Sequence, residues 1–373
     1  MDAYIVIGVM ILMIVAFVMN KWPFGLITMS CCIILGVTGV LDASGTFAGF
    51  CNPFVVMLAG SFVVTNALAK TSFISNVQKR IIQLQNGKSG FRLMAIFVIA
   101  IIVLSTFMPG PAMLAIIIVM ARNLSDAGEV NAARIIFPAA ALTTLWNGRI
   151  PFGIGAGNFA ILNGFLEPYG DQYVVGMFDP MKAGLIPGIL LALYTIFCYK
   201  LLPHKSVDRS VENEAAAAGV AEVKMSKRDE IITYITFCMM LAFMVLNQFT
   251  GDLLYIGPAL CAVFLVFMKI ITVEDVKQGI TVDLIFMLAG IFTLTTALSE
   301  TGAGQLIGES ILSLFGGAST QFGLIALFGG ITIVITNFMS NNATMYSVIP
   351  VAITTALAAG LNPIPVILTV DVT

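Results

Sequence analysis

The chain has 373 residues, of which 59% are hydrophobic and 10% are charged, and its mean hydropathy is +1.00. Soluble domains carry about 25% charged residues, so this composition excludes a soluble globular protein and predicts a multispanning membrane protein. The net charge of −2 is uninformative, and the sequence has no basic patch that would indicate nucleic-acid binding.

The first half of the chain begins with three predicted spans. Residues 4–19, 24–41 and 53–70 are each close to the ~20 apolar residues that cross a bilayer. The first of them lacks a basic lead and a small-residue cleavage site, so we interpret it as a retained span and not as a signal peptide. A cationic loop, residues 71–92, follows the third span.

A re-entrant hairpin is predicted after this loop. Residues 91–122 are apolar at both ends and are broken at Pro109-Gly110-Pro111. Each arm is too short to span a bilayer at 1.5 Å per residue. Arg92 and Arg122 stand at the two outer ends, so we expect both ends of the hairpin on one face of the membrane.

The first half ends with a broken helix and one more span. Residues 134–166 form a long apolar stretch that is interrupted by Gly153-Ile154-Gly155-Ala156-Gly157-Asn158. Three glycines in five residues leave the backbone free to unwind, although glycines also ease helix packing in membranes. Residues 181–202 span again, and residues 205–230 are charged and alanine-rich, which predicts a cytoplasmic linker.

The second half repeats this plan up to its hairpin. Residues 231–247 and 253–271 are predicted spans, and 283–298 is the partner of the third span. Residues 322–361 form a second predicted hairpin, whose polar tip is Phe338-Met339-Ser340-Asn341-Asn342-Ala343-Thr344. Such a polar segment at membrane depth must line a cavity or face protein.

An internal repeat supports the division into halves. The segment Met57-Leu58-Ala59-Gly60 recurs 230 positions later as residues 287–290, and the second tip lies 231 positions after its counterpart at 107–112. Interrupted segments at matching places in two halves indicate a transporter's binding site. We therefore predict a first transmembrane repeat over residues 1–204, the linker over 205–230 and a second repeat over 231–373.

The distribution of Lys and Arg predicts that the two repeats are inverted. If residues 71–92 face the cytoplasm, each complete half has five crossings, and an odd number of crossings inverts the second copy. Only Arg149 and Lys182 then fall away from the inner face and its loops. The fold class predicted is an all-α polytopic membrane protein, with a re-entrant hairpin and a broken helix in each repeat.

The second repeat is predicted to be incomplete in this sequence. Adding the repeat offset to the first glycine break places its counterpart near residues 384–389, beyond Thr373. Residues 362–373 would then be only the beginning of the second broken helix. We expect either a truncated product or a degraded copy that keeps a single cation site.

Together, the tip at residues 338–344, the glycine break ending in Asn158, the five-crossing plan and the charged linker resemble the divalent anion:sodium symporter family of the ion transporter superfamily. That family's hairpin tips carry Ser-Asn-Thr, here Ser340-Asn341-Asn342. Its first tip differs here, because Pro109-Gly110-Pro111 stands where the family has Ser-Asn-Thr. The resemblance implies Na⁺-coupled transport of a small carboxylate, dicarboxylate or sulfate anion by alternating access.

The predicted binding residues lie at the second tip and at the helix break. The substrate-binding candidates are Ser340, Asn341, Asn342, Thr344, Arg149 and Asn158. A helix that begins at the tip offers unpaired N–H groups and a positive dipole end to an anion. Arg149 is a cation inside a broken helix, where ionisable groups are costly and mark function, although it is equally suited to a structural pairing.

The sodium candidates are oxygen-bearing residues of both interrupted regions: Ser105, Thr106, Gly155, Gly157, Asn158, Thr336, Ser340 and Asn341. A helix that ends at a break offers carbonyl oxygens to Na⁺. The hydroxyls of Ser105 and Thr106 have an alternative, which is to bond back to their own helix. We expect no other cofactor, and no metal site.

What the sequence lacks narrows the mechanism. No predicted span carries Asp or Glu near its middle, which disfavours proton-driven antiport. No catalytic cluster or P-loop occurs, which disfavours an enzyme and an ATP-driven pump. We expect a homodimer in the plasma or bacterial inner membrane; a passive anion channel or uniporter, and an arsenite- or proton-linked carrier, are the alternative functions.

Overall fold

The computed structural model describes residues 1–73, 76, 90–107, 113–114, 117–118, 121, 130–151, 155–202, 225–250, 253–280, 282–315 and 320–373. The described part is helical and contains no β-strand, which confirms the predicted all-α class. Four of its helices are long and apolar enough to cross a bilayer: Asp2–Met19, Gly90–Phe107, Asp179–Phe197 and Val282–Glu300. Gly90–Phe107 is the first arm of the predicted hairpin, so the prediction that each arm is too short to span is wrong for this arm.

The helices follow the predicted spans closely. In the first half they are α1 (Asp2–Met19), α2 (Phe24–Val37), α3 (Ala43–Thr46), α4 (Pro53–Ala69), α5 (Gly90–Phe107), α6 (Ala132–Trp146), α7 (Gly155–Leu166) and α8 (Asp179–Phe197). In the second half they are α9 (Lys227–Thr250), α10 (Leu253–Phe267), α11 (Val273–Gly279), α12 (Val282–Glu300), α13 (Ala303–Leu314), α14 (Gln321–Ile335), α15 (Asn341–Ala358) and α16 (Ile364–Val372).

Two compact units are formed, and each draws on both halves of the chain: residues 1–59, 159–179 and 280–373 form the first unit, and residues 60–158 and 180–279 form the second. The predicted division at residues 204 and 230 concerns repeats and not compact units, so it stays a prediction. The tip of the first hairpin, Pro109-Gly110-Pro111, and the linker from 205 to 224 lie outside the described residues.

In the first unit, α2 packs along α12, and the second hairpin packs against α13 and α16. The backbone N–H of Gly25, in the first turn of α2, donates to the carboxylate of Asp283 at 2.8 Å. Asp283, in the first turn of α12, therefore caps a neighbouring helix. Because the first N–H groups of a helix have no partner within it, this bond satisfies one of them.

In the second unit, α5 and α6 form the core. One face of α5 is buried at helical spacing, with Met94, Phe97, Ile101 and Leu104 all at 1% exposure or less. At the end of α4, Lys70 forms an ion pair with Asp275 of α11. Close by in the chain, the N–H and hydroxyl of Ser72 both donate to the carboxylate of Glu230, at 2.7 and 2.9 Å. These polar contacts fasten the end of α4 to the elements of the second half.

The turns after α2 and α10 have the same geometry, 230 positions apart. Gly39 and Lys269 both have positive φ, at 78° and 56°. The next N–H donates five residues back in both turns: Val40 to Leu35 at 3.0 Å, and Ile270 to Leu265 at 3.1 Å. This is the Schellman pattern of a helix C-terminus. The two turns agree with the predicted duplication, which stays a prediction together with the inverted orientation of the copies.

A close contact between a glycine and a neighbouring helix also occurs in both halves. In each case the neighbouring helix belongs to the other half. A Cβ on Gly60 of α4 would lie 2.6 Å from the backbone of α10 at Pro258 and Ala259. A Cβ on Gly290 of α12 would lie 2.6 Å from Thr28 of α2. Gly290 and Pro258 are the repeat counterparts of Gly60 and Thr28. The third predicted span of each half, α4 or α12, therefore packs closely on the second span of the other half, α10 or α2.

Three helices of the described residues were not predicted from the sequence: α3, α11 and α13. α13 is the longest of them. α13, Ala303–Leu314, lies between the third span and the second hairpin. Its Gly304 and Gly308 allow it to approach α15, because a Cβ on them would lie 2.5 Å from the Thr354 side chain and 2.7 Å from the Thr354 carbonyl oxygen. The polar residues Gln305 and Glu309, which obscured the helix in the sequence, are on its exposed side and bond to each other at 2.9 Å.

Candidate functional site

The second hairpin turns at the predicted polar tip. α14 ends at Ile335, and Ser340 is the N-cap of α15, with its hydroxyl accepting a hydrogen bond from the N–H of Ala343 at 3.3 Å. The N–H of Thr344 donates to the carbonyl of Ser340 at 2.9 Å. The sequence Ser-Asn-Asn-Ala forms this cap because a serine hydroxyl can accept from the third residue of a new helix.

The tip presents donors to its surroundings. Ser340, Asn341 and Asn342 are exposed. The N–H groups of Ala343 and Thr344 both bond to Ser340. The N–H groups of Asn341 and Asn342, in the same first turn, have no acceptor among the described residues. These donors coincide with the positive end of an 18-residue helix. The arrangement can accept a carboxylate or sulfate oxygen.

Oxygen atoms from both arms also meet at this tip. The hydroxyl of Thr336, at the end of α14, donates to the side-chain oxygen of Asn341 at 3.0 Å. The structure thus brings together the four predicted residues Thr336, Ser340, Asn341 and Asn342. Asn337 behaves differently, because its side-chain N–H donates back to the carbonyl of Ile333 at 2.6 Å.

Thr344 differs from the other hydroxyl residues of the hairpin. Its side chain is 1% exposed, and its hydroxyl has no hydrogen-bond partner in the described part of the chain. The hydroxyls of Ser347 and Thr332, by contrast, donate one turn back to Ala343 and Phe328, both at 2.7 Å. A buried hydroxyl without a partner costs free energy. Thr344 lies one turn from Ser340 on the same helix face, so a ligand at the tip can remove that cost.

The broken helix forms the second predicted region. α6 ends at Trp146, and Gly148 has φ of 74°, which ends the helical path. α7 begins at Gly155. A Cβ on Gly155 would lie 1.9 Å from the carbonyl oxygen of Ile150 and 2.9 Å from that of Gly148. The carbonyl groups of the unwound turn therefore lie directly against the start of α7, and only glycine fits there.

The other predicted residues of this region are placed around the turn. Asn158 is half-buried, and its side-chain amide lies 3.9 Å from where a Cβ on Gly148 would be. Gly157 is buried in the first turn of α7. Arg149 is 7% exposed, and its Nε donates to the carbonyl of Leu145 at 3.3 Å. Carbonyl oxygens with an amide oxygen are ligands suited to a hard cation.

Ser105 and Thr106 are buried at the end of α5, and both hydroxyls donate to the carbonyl of Ile102, at 2.9 and 3.0 Å. Both hydroxyls thus bond back to their own helix, which is the alternative to sodium binding that the sequence left open. A hydroxyl that donates still has lone pairs for a cation, so their assignment to sodium stays a prediction. The tip that follows them lies outside the described residues.

Sequence reasoning missed Trp146 as a polar group. It is 8% exposed, and its indole N–H has no partner among the described residues. Tryptophan at the end of an apolar helix gives no sign of this in the sequence, because the partner of the N–H depends on which helix packs beside it.

Interrupted apolar helices with polar tips define a membrane transporter, and comparison with known proteins supports this class. The sequence model of the citrate transporter family, CitMHS, matches residues 14–370. The chain therefore belongs to the citrate transporter family, in agreement with its resemblance to the divalent anion:sodium symporters.

Similar proteins include other transporters. An uncharacterized transporter of Haemophilus influenzae is 21% identical over 354 residues, covering 90% of this chain and 73% of that protein. An uncharacterized transporter of Synechocystis is 36% identical over 90 residues, covering 24% of this chain and 14% of that protein. A putative sulfur deprivation response regulator of Chlamydomonas reinhardtii is 24% identical over 148 residues, covering 40% of this chain and 25% of that protein.

A solved structure shows the same fold. The YdaH transporter of Alcanivorax borkumensis, described as having an unusual topology, superposes with a TM-score of 0.57 at 14% sequence identity. The match covers 96% of this chain and 86% of that one. At this identity the likeness concerns the fold alone. The chain is a multi-pass membrane protein of a transporter fold.

Proposed function

We propose that this protein is a secondary active carrier, and not an enzyme, that moves a small carboxylate, dicarboxylate or sulfate anion together with Na⁺ by alternating access. The observation that carries the proposal is the second hairpin tip, where Ser340 caps α15 and leaves the N–H groups of Asn341 and Asn342 open. The unpaired buried hydroxyl of Thr344 lies one turn below. The chain's membership of the citrate transporter family supports an organic anion as substrate.

The tip suits a weakly held anion. A negative charge at a helix N-terminus gains about 0.3–1 kcal/mol at exposed sites and up to about 2 kcal/mol when partly buried. A carrier must release its substrate on the other side, so moderate affinity fits its task. The oxygens of Thr336 and Asn341 at the same tip, and the carbonyls of the turn at Gly148 and Ile150, are the proposed sodium ligands, with Asn158 beside the latter.

The experiment is radiolabelled uptake into proteoliposomes, with citrate, succinate, acetate and sulfate as substrates and with an inward Na⁺ or K⁺ gradient. We expect uphill uptake of at least one anion that requires Na⁺. Asn341→Ala should reduce this uptake at least tenfold, because it removes a side chain that orders the tip. Asn337→Ala is the matched control, since the Asn337 side chain is committed to its own helix.

Two outcomes would contradict the proposal. Uptake that only equilibrates the anion across the membrane, whatever the Na⁺ gradient, would identify a passive channel or uniporter. Unchanged uptake by Asn341→Ala, with Asn337→Ala also unchanged, would remove the tip from the binding site.

A proton-linked carrier is the second candidate, and one observation favours it. Asp371 is an acidic residue in the last turn of the apolar helix α16. The sequence had disfavoured proton coupling because it showed no carboxylate near the middle of a span, and it had treated residues 362–373 only as the start of a helix. Uptake driven by a pH gradient without Na⁺, and lost in Asp371→Asn, would select this candidate.

A further inference from the structure

We propose that one end of the second unit binds an anionic phospholipid of the surrounding bilayer. The surface is formed by Phe91, Arg92, Phe197, Lys200 and Leu201, which we call the aromatic–basic patch. All five residues belong to the second unit, and each of them is exposed. The inference concerns the surface toward the lipid and not the transport site, so it goes beyond the proposed function.

The patch forms where α5 begins and α8 ends. The rings of Phe91 and Phe197 contact each other, with their centroids 5.3 Å apart. Arg92 follows Phe91 in the first turn of α5, and Lys200 comes three residues after Phe197. Each ring of the aromatic pair therefore has an exposed cation within three residues of it in the chain.

The end of α8 is held in place by the start of α6. The side chain of Arg134, in the first turn of α6, donates to the carbonyl of Leu202 at 3.4 Å and to that of Lys200 at 3.3 Å. The Lys200 ammonium lies 5.9 Å from the centre of the Tyr199 ring, within the range of a cation–π contact. The backbone that carries Lys200 is thus fixed, and Arg134 adds a third cation at the same end.

The three helices do not neutralise this charge themselves. α5 and α6 contain no acidic residue, and the acidic residue of α8 is Asp179, in its first turn, at the opposite end of the helix. The positive dipole ends of α5 and α6 lie at the patch end and add to the charge of the side chains. This end of the unit therefore attracts an anion.

An apolar stripe leads away from the patch along α8. Its exposed side chains recur at helical spacing: Ile186, Ile189, Leu190, Leu193, Tyr194 and Phe197. At 1.5 Å per residue the stripe is about 16 Å long, and one leaflet contributes about 15 Å, half of the hydrocarbon core. An acyl chain of one leaflet can therefore lie along the stripe while its headgroup remains at the patch.

Cations at the end of an exposed apolar stripe favour an amphiphile over a free anion. Arg and Lys bind phosphate oxygens through charge-assisted hydrogen bonds, and the stripe is covered best by hydrocarbon. The distribution of Lys and Arg predicts that this end faces the cytoplasm, where anionic headgroups attract basic segments next to the membrane. An anionic phospholipid satisfies both the charge and the apolar surface.

Native mass spectrometry of the full chain, purified in a neutral detergent, measures this binding without transport. The protein is titrated with phosphatidylglycerol and with phosphatidylcholine that carries the same acyl chains. We expect phosphatidylglycerol to bind at least about fivefold more tightly, since each Lys or Arg near a membrane surface contributes about that factor. Glycerol 1-phosphate at the same concentration should not compete, because it has the charge and lacks the hydrocarbon.

Variants locate the binding at the patch. Arg92→Gln should lower the affinity for phosphatidylglycerol about fivefold and leave that for phosphatidylcholine unchanged, and Arg92→Lys should retain most of it. Adding Lys200→Gln should lower the affinity about 25-fold in total. Lys269→Gln is the matched control and should have no effect. Lys269 is an exposed cation in the same unit and follows the exposed Phe267, but the acidic first turn of α11 comes directly after it.

Three results would overturn the proposal. The first is equal affinity for the two lipids, or an equal loss of affinity in Arg92→Gln and Lys269→Gln. The second is competition by glycerol 1-phosphate, which would identify a site for a free anion. The third concerns Phe197→Ala, which should weaken both lipids alike. If it instead separates dimers into monomers and leaves the bound lipid unchanged, a second copy of the chain covers the patch. Thermal unfolding without lipid checks that each variant keeps its fold.

Discussion

At the residue scale, the function proposed here depends on hydroxyl and amide groups that the helices leave unused. In the described helices a Ser or Thr hydroxyl commonly donates one turn back, as Ser347 does to Ala343 at 2.7 Å. Thr344 makes no such bond. The carbonyl one turn before it belongs to Ser340 and accepts from the backbone N–H of Thr344. It does not also accept from the Thr344 hydroxyl, although a carbonyl oxygen can accept two hydrogen bonds.

Replacing Thr344 by Val tests whether this hydroxyl serves the ligand. Val keeps the shape of the side chain and removes the hydroxyl, so the unpaired group disappears. We expect Thr344→Val to raise the stability of the ligand-free protein slightly and to raise KM for the anion or for Na⁺ about tenfold, the value of one hydrogen bond of about 1.4 kcal/mol. Uptake kinetics and thermal unfolding measure the two effects.

Ser347→Ala is the matched control, since the Ser347 hydroxyl is buried on the same helix but bonds to its own backbone. It should leave KM near the wild-type value. An unchanged KM in Thr344→Val, or an equal rise in both variants, would mean that Thr344 is only a packing residue.

The residues of this tip could be predicted from the sequence, but which of their side chains have hydrogen-bond partners could not. The polar run from Phe338 to Thr344 between apolar arms was sufficient to place a hairpin tip, because hydrocarbon excludes such groups elsewhere. Whether a hydroxyl is paired depends on cap geometry, so Thr344 and Ser347 cannot be distinguished in the sequence. The same limit applies to Trp146, whose unpaired N–H follows from its packing against α8.

At the element scale, close helix contacts are fixed by glycines at matching positions of the two halves. Gly60 approaches the backbone of α10, and Gly290 approaches Thr28 of α2. Small residues let helix backbones come together in membranes, where packing replaces the hydrophobic driving force. The repeated Met-Leu-Ala-Gly segment marked these positions in the sequence, but which helix they contact could not be deduced from it.

Adding a methyl group at either glycine should destabilise the protein. We expect Gly60→Ala and Gly290→Ala each to lower the free energy of unfolding by about 1–3 kcal/mol, because the new Cβ would lie 2.6 Å from a neighbouring helix. Gly330→Ala is the control, since a Cβ there has no atom within 4 Å. It should be neutral or stabilising by about 0.5–1 kcal/mol. Thermal unfolding in detergent distinguishes the three, and tolerance of Gly60→Ala would disprove the contact.

The start of α11 gives a second prediction at this scale. Asp275 pairs with Lys70 and accepts from the N–H of Thr272 at 2.8 Å, and these bonds lower the pKa of its carboxyl. A group with a lowered native pKa contributes stability above its unfolded pKa of about 3.9 and loses that contribution as the pH falls through the native value.

Asp275→Asn should therefore reduce stability by about 1 kcal/mol or less at pH 7, since the pair is partly exposed. The difference from the wild type should shrink below about pH 4, where the wild-type carboxyl takes up a proton. Glu274→Gln is the control, because its pair with Lys277 is largely exposed. A difference that stays constant down to the acid limit would show that Asp275 acts through its size and not its charge.

The longest element that was not predicted from the sequence, α13, is amphipathic and not uniformly apolar. α13 contains Gly304, Gly308 and four polar side chains in 12 residues, and in the sequence this combination is typical of a loop. It forms because α15 offers a close surface to its glycine face. Tertiary packing thus overrides weak propensity here, whereas the long apolar spans were predicted because a bilayer leaves few alternatives to helix.

At the scale of the whole molecule, the two halves share local structure at one offset. α3 and α11 begin at matching positions after matching turns, and the hydroxyl or carboxylate of the N-cap, Asp42 or Thr272, accepts from the third residue of each helix. Even the burial pattern of residues 41–45 and 271–275 is the same. Local geometry is the same for parallel and inverted copies, so these likenesses agree with the predicted duplication and do not determine orientation.

Membrane sidedness determines orientation, and a matched pair of positions can report it. Ser44 and Glu274 are repeat counterparts, both exposed and both in the first turn of their helices. The distribution of Lys and Arg predicts an outer location for Asp42 and an inner one for residues 71–92. Five crossings per half then place Ser44 outside and Glu274 inside.

Single cysteines at these two positions should therefore react from opposite faces. In a variant whose six native cysteines are replaced, Ser44→Cys should react in intact cells with a maleimide that does not cross membranes. Glu274→Cys should react only after permeabilisation. Both positions are solvent-exposed, so unequal burial is not a cause of the difference. Reaction of both cysteines in intact cells, or of neither, would show that the two halves are not inverted. The prediction of inverted repeats would then be wrong.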